Sequence, residues 1–92
     1  MTEEHLTALL TTAEAKKDDK GFLRAAEGRN ISLYAGTAGA SLTVTKIEAV
    51  KIEKQLIHAR TSRGEVFILA LEDIFAGSVD QPLSSGRKAG FV

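Results

Sequence analysis

The 92-residue chain contains no cysteine, which excludes disulfide staples, thiolate zinc sites and cysteine nucleophiles and leaves packing as the source of stability. It has no excess of either charge. Twelve lysines and arginines balance twelve aspartates and glutamates, and the pI is near 6.7. The chain therefore lacks the overall charge that holds nucleic acid, and only a local patch can do so. Long apolar runs are missing as well. The longest, Val66 to Leu71, is far too short to cross a bilayer as a helix. The opening Met1-Thr2-Glu3-Glu4 is acidic where a secretory signal needs positive charge. These absences predict a soluble, cytoplasmic protein with no membrane partner.

Groups that carry chemistry are also scarce. His5 and His58 are the only histidines, and they lack the i, i+4 spacing of a helical metal pair. None of the serines sits in a Gly-x-Ser-x-Gly elbow. The glycine-rich stretch Gly36-Thr37-Ala38-Gly39 lacks the Gly-Lys-Ser/Thr ending of a phosphate loop and leads into strand sequence instead of a helix. Glu72 and Asp73 are adjacent and so diverge; they read as acids at the start of a helical turn. The expectation is a protein that is not an enzyme and has no catalytic, cofactor-binding or metal residues and no cofactor.

What is present fits a single globular unit. With 43% apolar and 26% charged residues, the composition is that of an ordinary folded domain, and a chain this short cannot support two cores. The sequence divides into one small domain over residues 1–79 and a flexible C-terminal tail over 80–92, where proline, glycine and serine replace periodic apolar residues. Thr2 is a good N-cap, Glu3 and Glu4 suit the positive end of a helix dipole, and Leu6, Leu9, Leu10 and Ala13 recur at helical spacing. A helix is predicted over Glu3–Lys17, with Lys16 and Lys17 in its last turn. Residues 22–30 read either as a short helix closed by Gly28 or as a first strand; their alanines favour the helix.

Strand spacing dominates the rest. Ile31 to Ala35 alternates, and strand structure resumes at Ser41 after the glycine loop. Leu42 and Val44 share a parity that Ile47 breaks, so a bulge or corner is predicted between Thr45 and Glu48. Two four-residue turns, Glu53–Leu56 and Thr61–Gly64, place Val50, Ile52, Ile57, Ala59, Val66 and Ile68 on one face. That register pairs Ile52 with Ile57, Ala59 with Val66 and Arg60 with Glu65. A short helical turn at Glu72–Phe75 and a last strand over Ala76–Val79 complete the chain. The predicted fold is α+β: an N-terminal helix packed on a strongly bent antiparallel sheet of four or five strands, closing in its tightest form into a small SH3-like or Sm-like barrel.

The opposite face of that register yields the candidate sites. Lys51, His58 and Phe67 line up in one row with Arg60 beside them and Lys54 and Arg63 at the loops, a cation–aromatic surface of the kind that stacks bases and holds phosphates. Residues 41–64 carry five bases and two acids, whereas residues 1–20 carry five acids and three bases. The bland alternative buries Phe67 beneath the helix and makes the cations its solvated rim. Phe67, Leu69 and Leu71 need a cover in any case, because leaving them exposed forgoes about 1.5–3 kcal/mol each. The helix stripe or a second copy of the chain supplies it. The functional expectation is a non-catalytic interaction or assembly module that binds protein or itself through its sheet. A small nucleic-acid-binding domain using the cationic face is the alternative, so the expected partners are a homo-oligomer or another protein ahead of nucleic acid.

Overall fold

The computed structural model describes residues 1–37 and 39–80. Helix α1 (Glu3–Thr12) is followed by two short strands, β1 (Lys16–Lys17) and β2 (Leu23–Arg24). Then come β3 (Asn30–Thr37), β4 (Ala40–Glu53), β5 (Leu56–Thr61), β6 (Val66–Ala70), a 3-10 turn (Leu71–Asp73) and β7 (Ile74–Asp80). The α+β class stands, with one antiparallel sheet of seven strands instead of four or five. The predicted tail over 80–92 lies, beyond Asp80, outside the described residues.

The helix stops earlier than Lys17. Thr11 and Thr12 turn their hydroxyls back onto the carbonyls of Thr7 and Ala8 at 2.9 and 3.0 Å, a competition that weakens a helix end. Glu14 then adopts φ 53°, and the amides of Glu14 and Ala15 donate to the carbonyls of Thr11 and Leu10. This is the Schellman arrangement, with a glutamate where glycine is usual. Lys16 and Lys17 are freed to pair with Arg24 and Leu23. Residues 22–30 form no helix: Leu23 and Arg24 are drawn onto β4 opposite Val50 and Ala49, so tertiary pairing overrides the preference of the alanines.

Strand β4 organises the molecule. Its first half pairs with β3 and its second with β2 on the same edge, while β5 takes the other edge from Ile47 onward. The expected corner is there. Register shifts on both edges between Val44 and Ala49, and Lys46 takes φ 57°, so the extra residues bend the strand while Val44 and Ile47 both stay buried. Strand β7 closes onto the far edge of β3. The sheet is bent but open: among the described residues β6 and β7 share no pairing, because the 3-10 turn carries the chain from the edge of β5 to the edge of β3 without a ladder between them. The SH3-like or Sm-like barrel is thus corrected to an open sheet.

One core fills the bend. Leu6 and Leu10 of α1 join Ile31, Leu33, Ile47, Val50, Ile57 and Ile74 in a single buried cluster. The helix lies on β7, where Gly77 makes room for it: a Cβ there would stand 2.7 Å from Leu9 Cδ2. The Met1 nitrogen donates to the carbonyls of Leu71 and Ile74, tying the start of α1 to the 3-10 turn.

Candidate functional site

The first of the two predicted hairpin registers is present and the second is not. Lys54 and Gln55 form a two-residue turn with φ 50° and 69°, the left-handed pair of a type I′ hairpin, and Ile52 meets Ile57, Lys51 meets His58 and Val50 meets Ala59. In the second hairpin Ser62, Arg63 and Gly64 make the loop. The Gly64 amide donates to Thr61 O at 2.9 Å, the Thr61 amide donates to Glu65 O at 2.8 Å, and Gly64 has φ 88°. A turn followed by a left-handed glycine is a bulged three-residue loop. It pairs Arg60 with Val66, Ala59 with Phe67, His58 with Ile68 and Ile57 with Leu69.

That single step reverses the faces of β6. Phe67 leaves the predicted row with Lys51 and His58 and turns toward the core beside Ala59, half-buried against the main cluster. Leu69 and Leu71 are buried within the chain itself, in the cluster that includes Leu6 and Leu10. Val66 and Ile68, expected inside, stand 51% and 59% exposed.

Lys51, His58 and Arg60 do share one face, but their aromatic neighbour is Phe22. The Arg60 guanidinium lies 5.0 Å and the Lys51 ammonium 6.0 Å from its ring centre. Phe22 is placed by Asp18, whose Oδ1 accepts from the amides of Lys20 and Phe22 at 2.8 and 3.0 Å while the Asp18 amide donates to Phe22 O. Gly21, at φ 87°, makes that tight turn possible. Sequence spacing had no means of bringing residue 22 onto β5; the turn at Asp18 was its only local signal.

Acids accompany Arg60 and His58, whereas Lys51 forms no ion pair among the described residues. Arg60 Nε lies 3.4 Å from Glu48 Oε2, and Nη2 lies 4.0 Å from Asp18 Oδ2. Arg24 reaches the same Glu48 oxygen at 3.8 Å, and His58 Nε2 stands 3.8 Å from Glu53 Oε1. Arg60 Nε is shielded from water without a well-formed hydrogen bond, which makes Glu48 its principal compensation. Partial desolvation opposes ionisation of Asp18, but the two amides and the charges of Arg60 and Arg24 outweigh it and hold its carboxyl below the usual aspartate value.

The other two predicted cations lie apart. Lys54 is at the β4–β5 turn and Arg63 at the β5–β6 loop, so the length of β5 separates them. Arg63 instead lines a cavity of about 220 Å³ with Lys46, Thr43, Glu65 and Phe67, beside a second of about 210 Å³ lined by Ala35, Leu42, Ile68 and Asp73. Both open between β6 and the first half of β4. Among the described residues no three His, Asp or Glu side chains converge as a metal site, and no helix is long and apolar enough to cross a membrane.

Compared with protein-family models, curated proteins and solved structures, the chain matches none. The reading of the site rests on its geometry.

Two surfaces remain as candidates on the same outer face. Toward β4 the face is covered by Phe22 and its charged neighbours. Toward β6 it is bare, with Val66, Ile68 and, at 40% exposure, Leu56 open to water.

Proposed function

We propose that this chain is a non-catalytic interaction module that binds a protein surface, its own included, through the outer face and free edge of β6. The carrying observation is an edge strand, Val66-Phe67-Ile68-Leu69-Ala70, that has no charged residue or proline and exposes Val66 and Ile68. Edge strands are ordinarily protected by lysine, proline, bulges or a covering element. Of the other edges, β1 consists of Lys16 and Lys17, and β7 has α1 packed on one face but exposes Phe75. β6 offers both unpaired backbone and apolar side chains, the two components of recognition by strand addition.

Amide hydrogen exchange tests the reading in two settings, the concentrated chain and the chain with extended apolar peptides selected against it. Protection confined to residues 66–70 and lost in Ile68→Lys is expected. If those amides exchange as a free edge in both settings, the reading falls.

The cluster of Phe22, Lys51 and Arg60 favours a second reading, a small nucleic-acid-binding domain. It stands second because Asp18 and Glu48 occupy Arg60 and Glu53 stands beside His58, which leaves Lys51 alone without an acid partner in the patch among the described residues. It requires single-stranded RNA binding that weakens steeply with salt and is reduced by Phe22→Ala. Absence of binding at low salt removes it.

A further inference from the structure

The interaction-module reading, on which this inference rests, leaves the partner open, and the gap beside β6 characterises one. Among the described residues β6 pairs only with β5, and the half of β4 before Ile47 pairs only with β3. These two unpaired edges face each other across the cavities of about 220 and 210 Å³. We infer that the gap receives an extended peptide that ends in a free carboxylate preceded by apolar residues, added antiparallel to β6. The opposite half of β4 supplies the second wall.

The two cavities differ in chemistry. The one at the start of β6 is walled by Lys46 and Arg63 together with Thr43 and Thr45; the one along the rest of the strand is walled by Leu42, Ile68, Leu69 and Ala70. The Ser62 amide donates to Lys46 O at 2.9 Å, which ties the loop carrying Arg63 to the corner of β4 and holds both cations at one end of the gap. Neither cation forms an ion pair among the described residues. Glu65 lines the same cavity, where its Oε1 accepts from the Thr61 hydroxyl at 3.4 Å. With Glu65 set against the two cations, a net positive charge remains. The other cavity has an acid instead, Asp73.

That asymmetry sets the direction of the occupant. Antiparallel to β6, a peptide brings its last residue to the end where Lys46 and Arg63 stand and lays the preceding side chains along Leu42 and Ile68. The parallel direction carries the carboxylate toward Asp73 and leaves both cations unmatched. A carboxylate held by a guanidinium makes charge-assisted, directional hydrogen bonds. The apolar wall gains from cover, since Leu42 is 45% and Ile68 59% exposed, and the peptide backbone satisfies the open edge of β6.

The test is a fluorescently labelled hexapeptide of alternating threonine and valine, prepared as the free acid and as its carboxamide twin, with binding read by anisotropy. The acid is expected to bind at least about tenfold more tightly than the amide. Arg63→Gln and Lys46→Asn are each expected to erase most of that preference and leave the amide unaffected; asparagine tolerates the left-handed backbone at position 46, where φ is 57°. Ile68→Lys is expected to weaken both twins. Equal affinity of acid and amide, or no binding of either, overturns the carboxylate-ended partner. If selected peptides still protect the amides of residues 66–70 in that case, the interaction-module reading survives; if they do not, both fall. Decanoate offers the same carboxylate and apolar chain without a peptide backbone, and its displacing the acid while leaving residues 66–70 unprotected overturns the peptide in favour of a small carboxylate.

Discussion

The two hairpins that share β5 make an instructive pair. One turns through Lys54 and Gln55, two residues in left-handed conformation; the other turns through Ser62, Arg63 and Gly64, with a bulge at the glycine. Both join antiparallel strands of similar apolar content. The first keeps Val50 and Ile57 in the core, whereas the second sends Phe67 and Leu69 inward and Val66 and Ile68 out. Because side chains alternate with a period of two, one loop residue decides which half of a strand meets water. In a strand apolar on both faces, such as β6, burial on either face is favourable. The loop backbone therefore decides between them, and it leaves an apolar surface behind.

The sharpest way to break the comparison is to remove a side chain on each side of the sheet. Ile57→Ala deletes the fully buried centre of the row Ile52, Ile57 and Leu69 and is expected to cost about 2–5 kcal/mol. Ile68→Ala, one strand away on the outer face, is expected to change the stability of the single chain by about 0.5 kcal/mol or less. Urea unfolding measures both, and similar losses would contradict the reversed faces of β6. The loop itself comes next. Gly64→Ala meets no atom within 4 Å, so only the left-handed backbone resists it, at about 1–2 kcal/mol; no loss would mean that the bulge does not set the register.

The first hairpin offers the opposite test. Lys54→Asn with Gln55→Gly supplies the residues that a type I′ turn favours and is expected to raise stability by about 1 kcal/mol, read as a higher urea midpoint. The smallest effect concerns the outer face over both hairpins. The folded chain holds the Asp18 carboxyl below its ordinary value, so its contribution is complete above the unfolded value near ~3.9 and is lost as pH falls through the lower folded value. Asp18→Asn is expected to make the loss of stability below about pH 4 shallower. An unchanged acid limb would show that the amides of Lys20 and Phe22 do not hold the charge.

Much of the fold was legible locally. The N-cap at Thr2 and the stripe of Leu6 and Leu10 marked α1, and the broken parity between Val44 and Ile47 marked the corner of β4. The alternation around Ile52 and Ile57 fixed the first hairpin. The second hairpin was not legible because Val66 to Leu71 is apolar throughout: a slip by one residue exchanges apolar for apolar, so the pattern contains no penalty to detect it. The bulge at Gly64 was signalled only by the glycine. The candidate cationic site was read half correctly for the same reason. Lys51, His58 and Arg60 lie on strands whose register was secure, but Phe67 depended on the ambiguous one, and Phe22 arrives from a segment whose pairing with β4 is non-local.

The sequence alone determined the α+β class, the amphipathic helix, the bend in β4 and the face shared by Lys51 and His58, since each follows from periodicity or a parity break within a few residues. Tertiary structure decided that Lys16 and Lys17 pair with Arg24 and Leu23, that Leu23 and Arg24 pair with β4, and that the sheet stays open. These outcomes depend on which backbone groups find partners across the fold, and hydrogen bonds between distant strands leave no mark in local spacing.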